Sequence, residues 1–176
     1  EQVISREIDH ARNGRPAWIR AKMNALVDPA IIALLYEASQ AGVQIDLVVR
    51  GMCSLRPGLE GLSENIRVIS VIGRFLEHSR MFWFGNGGDD EVFIGSADWM
   101  PRNLDRRVEA VAPIEDPQLK GQLRKLMDLY LRDSRAWHMQ SDGHYCQQLP
   151  EGEELLVQST MMRCWHGGLK HSNSDT

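Results

Sequence analysis

Apolar positions along the chain change their period several times, and each change marks an element. Val3, Ile4, Ile8 and Ala11 recur at near-helical spacing, which predicts a helix over 1–13 that Gly14-Arg15-Pro16 breaks. "AWIRAKMN" (17–24) alternates apolar and polar residues, as a strand does. Asp28-Pro29 offers a capping carboxylate and then proline in a first helical turn. "AIIALLYEASQA" therefore predicts a helix, with Gly42 as its C-terminal cap. "VQIDLVV" (43–49) is apolar and β-branched, the pattern of a buried strand, and "IRVISVI" (66–72) is another. Between them, "RGMCSLRPGLEGLSEN" is a loop punctuated by glycine and proline.

In the second half, "RMFWF" and "EVFIGS" flank "GNGGDD" and predict a β-hairpin. "RRVEAVAPI" (106–114) predicts a further strand. Asp116-Pro117 opens a second capped helix, "QLKGQLRKLMDLYLRD", with Leu119, Leu123, Leu126, Met127 and Tyr130 on one face. Beyond about residue 140 the periodicity fades, and "GGLKHSNSDT" has a disordered composition. Residues from about Gly167 on are expected to be mobile. Strands alternating with helices, plus one hairpin, predict an α/β sandwich with a mixed β-sheet flanked by helices. "GNGGDD" lacks the lysine and following helix of a phosphate-binding loop and reads as a turn.

Composition narrows the function. A chain of 176 residues, 43% apolar and 25% charged, is one globular domain with a real core. No apolar run reaches membrane-spanning length. A net charge of −4 argues against a general nucleic-acid binder. The cations are unusual in kind, with 16 arginines against 4 lysines. Arginine presents a planar fork of donors that suits phosphate and carboxylate oxygens, although lineage bias produces the same count. Cys53, Cys146 and Cys164 are too few and too scattered for a disulfide framework, which predicts a reducing, cytoplasmic setting. The chain opens on Glu1 rather than methionine, as a piece of something longer would.

Several residues could carry chemistry. Arg50 ends an apolar strand, and ligands of α/β sheets gather beyond the carboxyl ends of strands. A plain surface arginine at a loop entrance fits the same position. His78 and Arg80 lie two apart at the start of a predicted strand and so share a face, with Phe82 and Phe84 continuing it. One permanent charge beside one group that exchanges protons near neutral pH suits a phosphate. Gly95-Ser96-Ala97-Asp98 ends the partner strand, where small residues admit a ligand and the Ser96 hydroxyl can donate. Arg102, Asn103, Arg106 and Arg107 follow, and a network of arginines paired with Asp98, Asp105 and Glu109 accounts for that cluster equally well. Lys22, at a strand end, is either part of a basic lining or a solvated lysine. His144 with Cys146, and Cys164 with His166, form two pairs that could complete a tetrahedral metal site, at tighter spacing than zinc usually has.

His78-Ser79-Arg80 followed by Gly95-Ser96-Ala97-Asp98 is similar, in degenerate form, to the H-x-K and G-S-x-N signature of the phospholipase D superfamily. Arg80 stands for its lysine and Asp98 for its asparagine. "VRGMCSLRPG", "RFLEH" and "SADWMPRN", in this order, resemble one family more closely: the long polyphosphate kinases. The resemblance covers about residues 1–135. It implies a phospholipase D-like fold over 1–140, the second C-terminal catalytic domain of such an enzyme, and a variable, partly disordered tail over 141–176. It implies an enzyme that reversibly moves the terminal phosphate of ATP onto polyphosphate through a phosphohistidine. That histidine and the Mg2+ ligands would lie in the preceding domain, and the N-terminal domain would hold the base. Arg50 and His78 match ATP-site residues of the family. By this resemblance His78 is the catalytic residue, and Arg50, His78, Arg80, Ser96 and Lys22 bind ATP or phosphate, with no metal site in the domain. The whole enzyme is then a cytoplasmic homo-oligomer, with membrane association left open, and this chain alone is inactive. Two other readings compete: a phospholipase D-like phosphodiesterase, which a second H-x-K would have favoured, and a non-catalytic polyanion-binding module.

Overall fold

The computed structural model describes residues 1–147, 152 and 154–168. Its helices are α1 (Gln2–Arg12), α2 (Pro29–Gln40), α3 (Pro101–Asp105), α4 (Pro117–Leu131) and α5 (Val157–Gly168). Its strands are β1 (Trp18–Met23), β2 (Gln44–Val49), β3 (Ile66–Ser70), β4 (Arg80–Phe84), β5 (Glu91–Gly95), β6 (Val111–Pro113), β7 (Trp137–Met139) and β8 (Tyr145–Gln147). The eight strands form one sheet in the order β6-β5-β4-β1-β2-β3-β7-β8. β1, β2 and β3 run parallel, and every other pairing is antiparallel.

Local chemistry explains the two long helices. The Asp28 carboxylate accepts from Ile31 N at 2.9 Å and the Asp116 carboxylate from Leu119 N at 2.8 Å, each ahead of a proline in the first turn. In each case the cap satisfies an amide that the helix itself cannot. The hairpin turn is a short 3-10 segment over 86–88 in which Gly87 takes φ +66°, a conformation that glycine adopts without strain.

Strand alternation splits the core in two. Ile19, Ala21 and Met23 of β1, Ile45, Leu47 and Val49 of β2, and Phe82 and Phe84 of β4 share one buried cluster with α1 and α2. Val48, Ile69 and Met81 point the other way and share a second cluster with Met127 and Tyr130 of α4 and Val157 of α5. Helices thus cover both faces of the sheet. A buried carboxylate ties α1 in place: Glu7 accepts from Trp18 N and Asn86 N. Burial pushes its carboxyl up despite those bonds.

Two expectations need correction. His78 is not in a strand, because the β4 ladder begins at Arg80, opposite Gly95 of β5, and the segment before it is irregular. His78 and Arg80 therefore share no strand face. The segment 106–114 pairs only over 111–113, and a short helix, α3, precedes it. Within 141–176 the described residues include β8, which pairs with β7, and α5, whose Val157 is fully buried. The expected mobile end falls on 169–176, outside the described residues, apart from its first two positions, which close α5. No described helix is long and apolar enough to cross a membrane.

Candidate functional site

The topology gathers the polar residues at one edge. β1, β2 and β3 end there, β4 begins there, and β5, antiparallel to β4, ends there. Lys22, Arg50, Arg80 and Ser96 consequently come to the same end of the strands from four different strands or their ends. This is the carboxyl edge at which open α/β sheets place ligands.

The four do not stand in equivalent states. Arg80 grips Asp98 with two bonds, Nε to Oδ1 at 3.1 Å and Nη2 to Oδ2 at 2.9 Å, and its Nη1 donates to the His78 carbonyl at 2.7 Å. Asp98 also accepts from Asn24 N at 2.7 Å. Burial alone would push the Asp98 carboxyl up, but the bonds from Arg80 and Asn24 and the Arg80 charge hold it below its ordinary value. The Arg80 fork is thus satisfied internally.

Lys22 is buried rather than solvated. Its Nζ donates to Ser79 Oγ at 2.8 Å and Ser79 O at 3.1 Å, lies 3.4 Å from Glu77 Oε2, and sits 4.7 Å from the centre of the Tyr130 ring. Burial pulls its pKa down, and the Glu77 carboxylate opposes that pull. Ser96 is equally committed. Its hydroxyl donates to Glu109 and accepts from Ala110 N at 3.1 Å. Glu109 also accepts from Asn103, and these two hydrogen bonds hold its carboxyl below the ordinary value. Asp98 is thus taken by Arg80, and Glu109 by Ser96 and Asn103, in place of Arg102, Arg106 and Arg107 that the sequence suggested.

Arg50 differs. Its Nε donates to Asn24 Oδ1 at 3.0 Å, which orients the guanidinium and leaves the two terminal nitrogens. Among the described residues no carboxylate lies within 4.0 Å of it. It lines a small cavity with Lys22, Glu77 and Tyr130. The next residue after Glu77, His78, is exposed.

Glu77 escaped the sequence reading. Its carboxylate takes the Tyr130 hydroxyl, the Lys22 ammonium and the Gln158 amide, the last at 2.7 Å. Three elements distant in sequence thus converge on the residue before His78, and no local pattern announces that. As for the His/Cys pairs, His144 Nδ1 lies 3.1 Å from Asp142 Oδ2, Cys146 and Cys164 are exposed, and the His166 side chain is outside the described residues. Among the described residues, no three His, Cys, Asp or Glu side chains gather.

The family model for polyphosphate kinase C-terminal domain 2 matches residues 1–158. The chain belongs to that family. The polyphosphate kinase of Parasynechococcus marenigrum is 63% identical over 175 residues, which are 98% of this chain and 25% of that protein. The polyphosphate kinase of Pseudomonas aeruginosa is 54% identical over 154 residues, 87% of this chain and 22% of that protein. This polyphosphate kinase domain thus spans about a quarter of the length of the curated relatives it matches. The crystal structure of polyphosphate kinase from Porphyromonas gingivalis superposes with a TM-score of 0.89 at 40% identity, over 95% of this chain and 26% of that one. NucT from Helicobacter pylori (11% identical, 74% of this chain and 87% of that one) and the phospholipase D family member Nuc from Salmonella typhimurium (16%, 84% and 90%) share the fold alone, each at a TM-score of 0.51. The polyphosphate kinase domain therefore has the phospholipase D-like sandwich expected of it.

Proposed function

We propose that this domain supplies phosphate-binding and proton-donating groups to an ATP–polyphosphate phosphotransferase whose remaining domains lie upstream in the same chain. One observation carries the reading. Of the three cations gathered at the carboxyl edge, Arg80 faces Asp98 and Lys22 faces Glu77, while Arg50 faces no carboxylate among the described residues. An oriented fork without an anion is the group a phosphate would complete.

Phosphoryl transfer asks little covalent work of the protein beyond its nucleophile. It asks for in-line placement and for cations on the phosphate oxygens. In this reading Arg50 binds a terminal phosphate of ATP or ADP through its two free nitrogens. His78, exposed and fixed by its backbone, donates a proton or hydrogen bond to the bridging or leaving oxygen. Arg80, Ser96 and Lys22 act behind them: Arg80 holds the His78 carbonyl, Lys22 holds Ser79, and Ser96 holds Glu109. The phosphohistidine and the Mg2+ ligands belong to the upstream domains, and no step described for this chain runs through the ion. ATP and polyphosphate are the substrates, the whole enzyme is a cytoplasmic homo-oligomer, and the isolated chain folds without turning ATP over.

The test is Arg50→Lys in the complete enzyme. Lysine keeps the charge and loses the fork, removing one charge-assisted hydrogen bond, roughly 1.5–3 kcal/mol. That corresponds to a fall in kcat/KM for ATP of about ten- to a hundredfold. Unchanged kcat/KM would remove Arg50 from the site. Polyphosphate synthesis by the isolated chain would remove the dependence on upstream domains, and cleavage of a phosphodiester by it would favour the phospholipase D-like alternative.

A further inference from the structure

The loop 71–79 that carries His78 is exposed and apolar at its tip. Ile72 is 66% exposed, Phe75 46% and Leu76 68%, so burial does not hold it. Its far end is held by Lys22 at Ser79, Arg80 at the His78 carbonyl, and Tyr130 at Glu77. Its near end is held differently. Gln158 of α5 accepts from Phe75 N at 2.9 Å and donates to Phe75 O at 2.9 Å. The carboxamide thereby pairs with the loop backbone as a neighbouring strand would. The same nitrogen donates to Glu77 Oε1 at 2.7 Å. Among the described residues, the two bonds to Phe75 are the only ones outside the strand ladders that reach the backbone of 71–76.

The fit is tight. A Cβ on Gly73 would overlap the Gln158 carboxamide, whose three atoms are its three nearest neighbours. α5 is itself anchored. Val157 N donates to Asp133 Oδ2 at 2.8 Å, Leu155 N to Ser134 Oγ at 2.9 Å, and Val157 is fully buried. Gln158 follows that anchor directly, so its carboxamide has a fixed base.

We infer that α5 is the strap that sets the His78 loop, with Gln158 as a positioning residue that acts on His78 through Phe75 and Glu77. The inference rests on the proposed role of His78, and it assigns a task to a C-terminal helix that the reading of the sequence left as tail. Gln158 acts here on the loop backbone and on Glu77. It removes the freedom of a loop whose tip side chains, Ile72, Phe75 and Leu76, stay outside the core, and a small loss of registry at a reacting group lowers turnover steeply.

The experiment uses the complete enzyme with Gln158→Ala, Gly73→Ala and His78→Ala, singly and combined, and reads kcat, KM for ATP, and amide exchange across 71–79. Gln158→Ala should lower kcat on the order of ten- to a hundredfold, with KM for ATP moving much less. Gly73→Ala, which displaces the carboxamide without deleting it, should reproduce the effect and add nothing to Gln158→Ala. In the His78→Ala background, Gln158→Ala should add nothing to the loss of turnover, because both act through one ring. Amide exchange at Phe75 should quicken in Gln158→Ala while β1 and β2 stay protected. Equal losses from Gln158→Ala with and without His78 would overturn the inference, as would unchanged kcat. If His78→Ala itself leaves turnover intact, the proposed role of His78 fails, and the strap then stands or falls on exchange: unchanged protection at Phe75 overturns it independently.

Discussion

Arg80 and Asp98 form a two-pronged ion pair, at 3.1 and 2.9 Å, that clamps the start of β4 to the segment after β5. Both side chains are mostly buried, at 18% and 8% exposed. The pair also positions two neighbours: Asp98 accepts from the Asn24 amide, and Arg80 donates to the His78 carbonyl. Asn24 in turn accepts from Arg50. The two residues that differ from the phospholipase D signature therefore link Arg50 to His78 through one short chain of hydrogen bonds.

Asp98→Asn should cost about 3 kcal/mol of stability at pH 7, since it leaves a mostly buried guanidinium without its anion. The acid limb gives a second readout. The Asp98 carboxyl is held below its ordinary value of 3.8, so its contribution is present above that value and is lost as pH falls through the lower, folded-state value. Urea unfolding at pH 7 and near pH 3 measures both. The native chain should lose more stability over that interval than Asp98→Asn, and equal losses would show that the pair carries no pH-dependent stability.

Tyr130→Phe tests the Glu77 hub. Burial pushes the Tyr130 phenol far above its usual range, with the bond to Glu77 adding to the shift, so the hydroxyl remains a donor at every working pH. Phenylalanine keeps the buried ring and the Lys22 contact and removes only that donor. The expected loss is about 1–2 kcal/mol, the penalty for leaving one acceptor short. A shift in the urea midpoint without a change in slope would measure it. No shift would mean that Lys22 and Gln158 suffice to hold Glu77.

What the sequence disclosed, and what it hid, follows the range of the interactions. Asp28-Pro29 and Asp116-Pro117 announce their helices because cap, proline and first turn lie within four residues. β2 announces itself through Leu47, Val48 and Val49, a β-branched and apolar run buried on both faces of the sheet. Arg50 and its place at a strand end were legible for the same reason. Lys22 was not, since its burial depends on Glu77 and Tyr130, which arrive from a loop and from α4. His78 was misplaced because a strand ends where its partners end. The pairing of β4 with β1 stops at Met81 opposite Lys22, and that with β5 stops at Arg80. β7 and β8 have only three residues each, too few to show a period, and Gln158 looks like any polar residue in the first turn of a helix.

His78 combines a free ring with a fixed backbone, and that separates its chemistry from its stability. The ring is exposed, so His78→Ala should change stability by no more than about 0.5 kcal/mol. The backbone on either side is held by Lys22 at Ser79, by Arg80 at its own carbonyl, and by Tyr130 and Gln158 at Glu77, so the loop should keep its course without the ring. In the complete enzyme the same substitution should lower turnover on the order of a hundredfold, typical of a positioned acid–base group. It should affect kcat more than KM for ATP, because a proton or hydrogen bond delivered to a developing charge strengthens in the transition state. Steady-state kinetics and thermal unfolding on the same preparation check both halves. Lost turnover with lost stability would mean that His78 serves the fold, and normal kcat would mean that another group donates the proton.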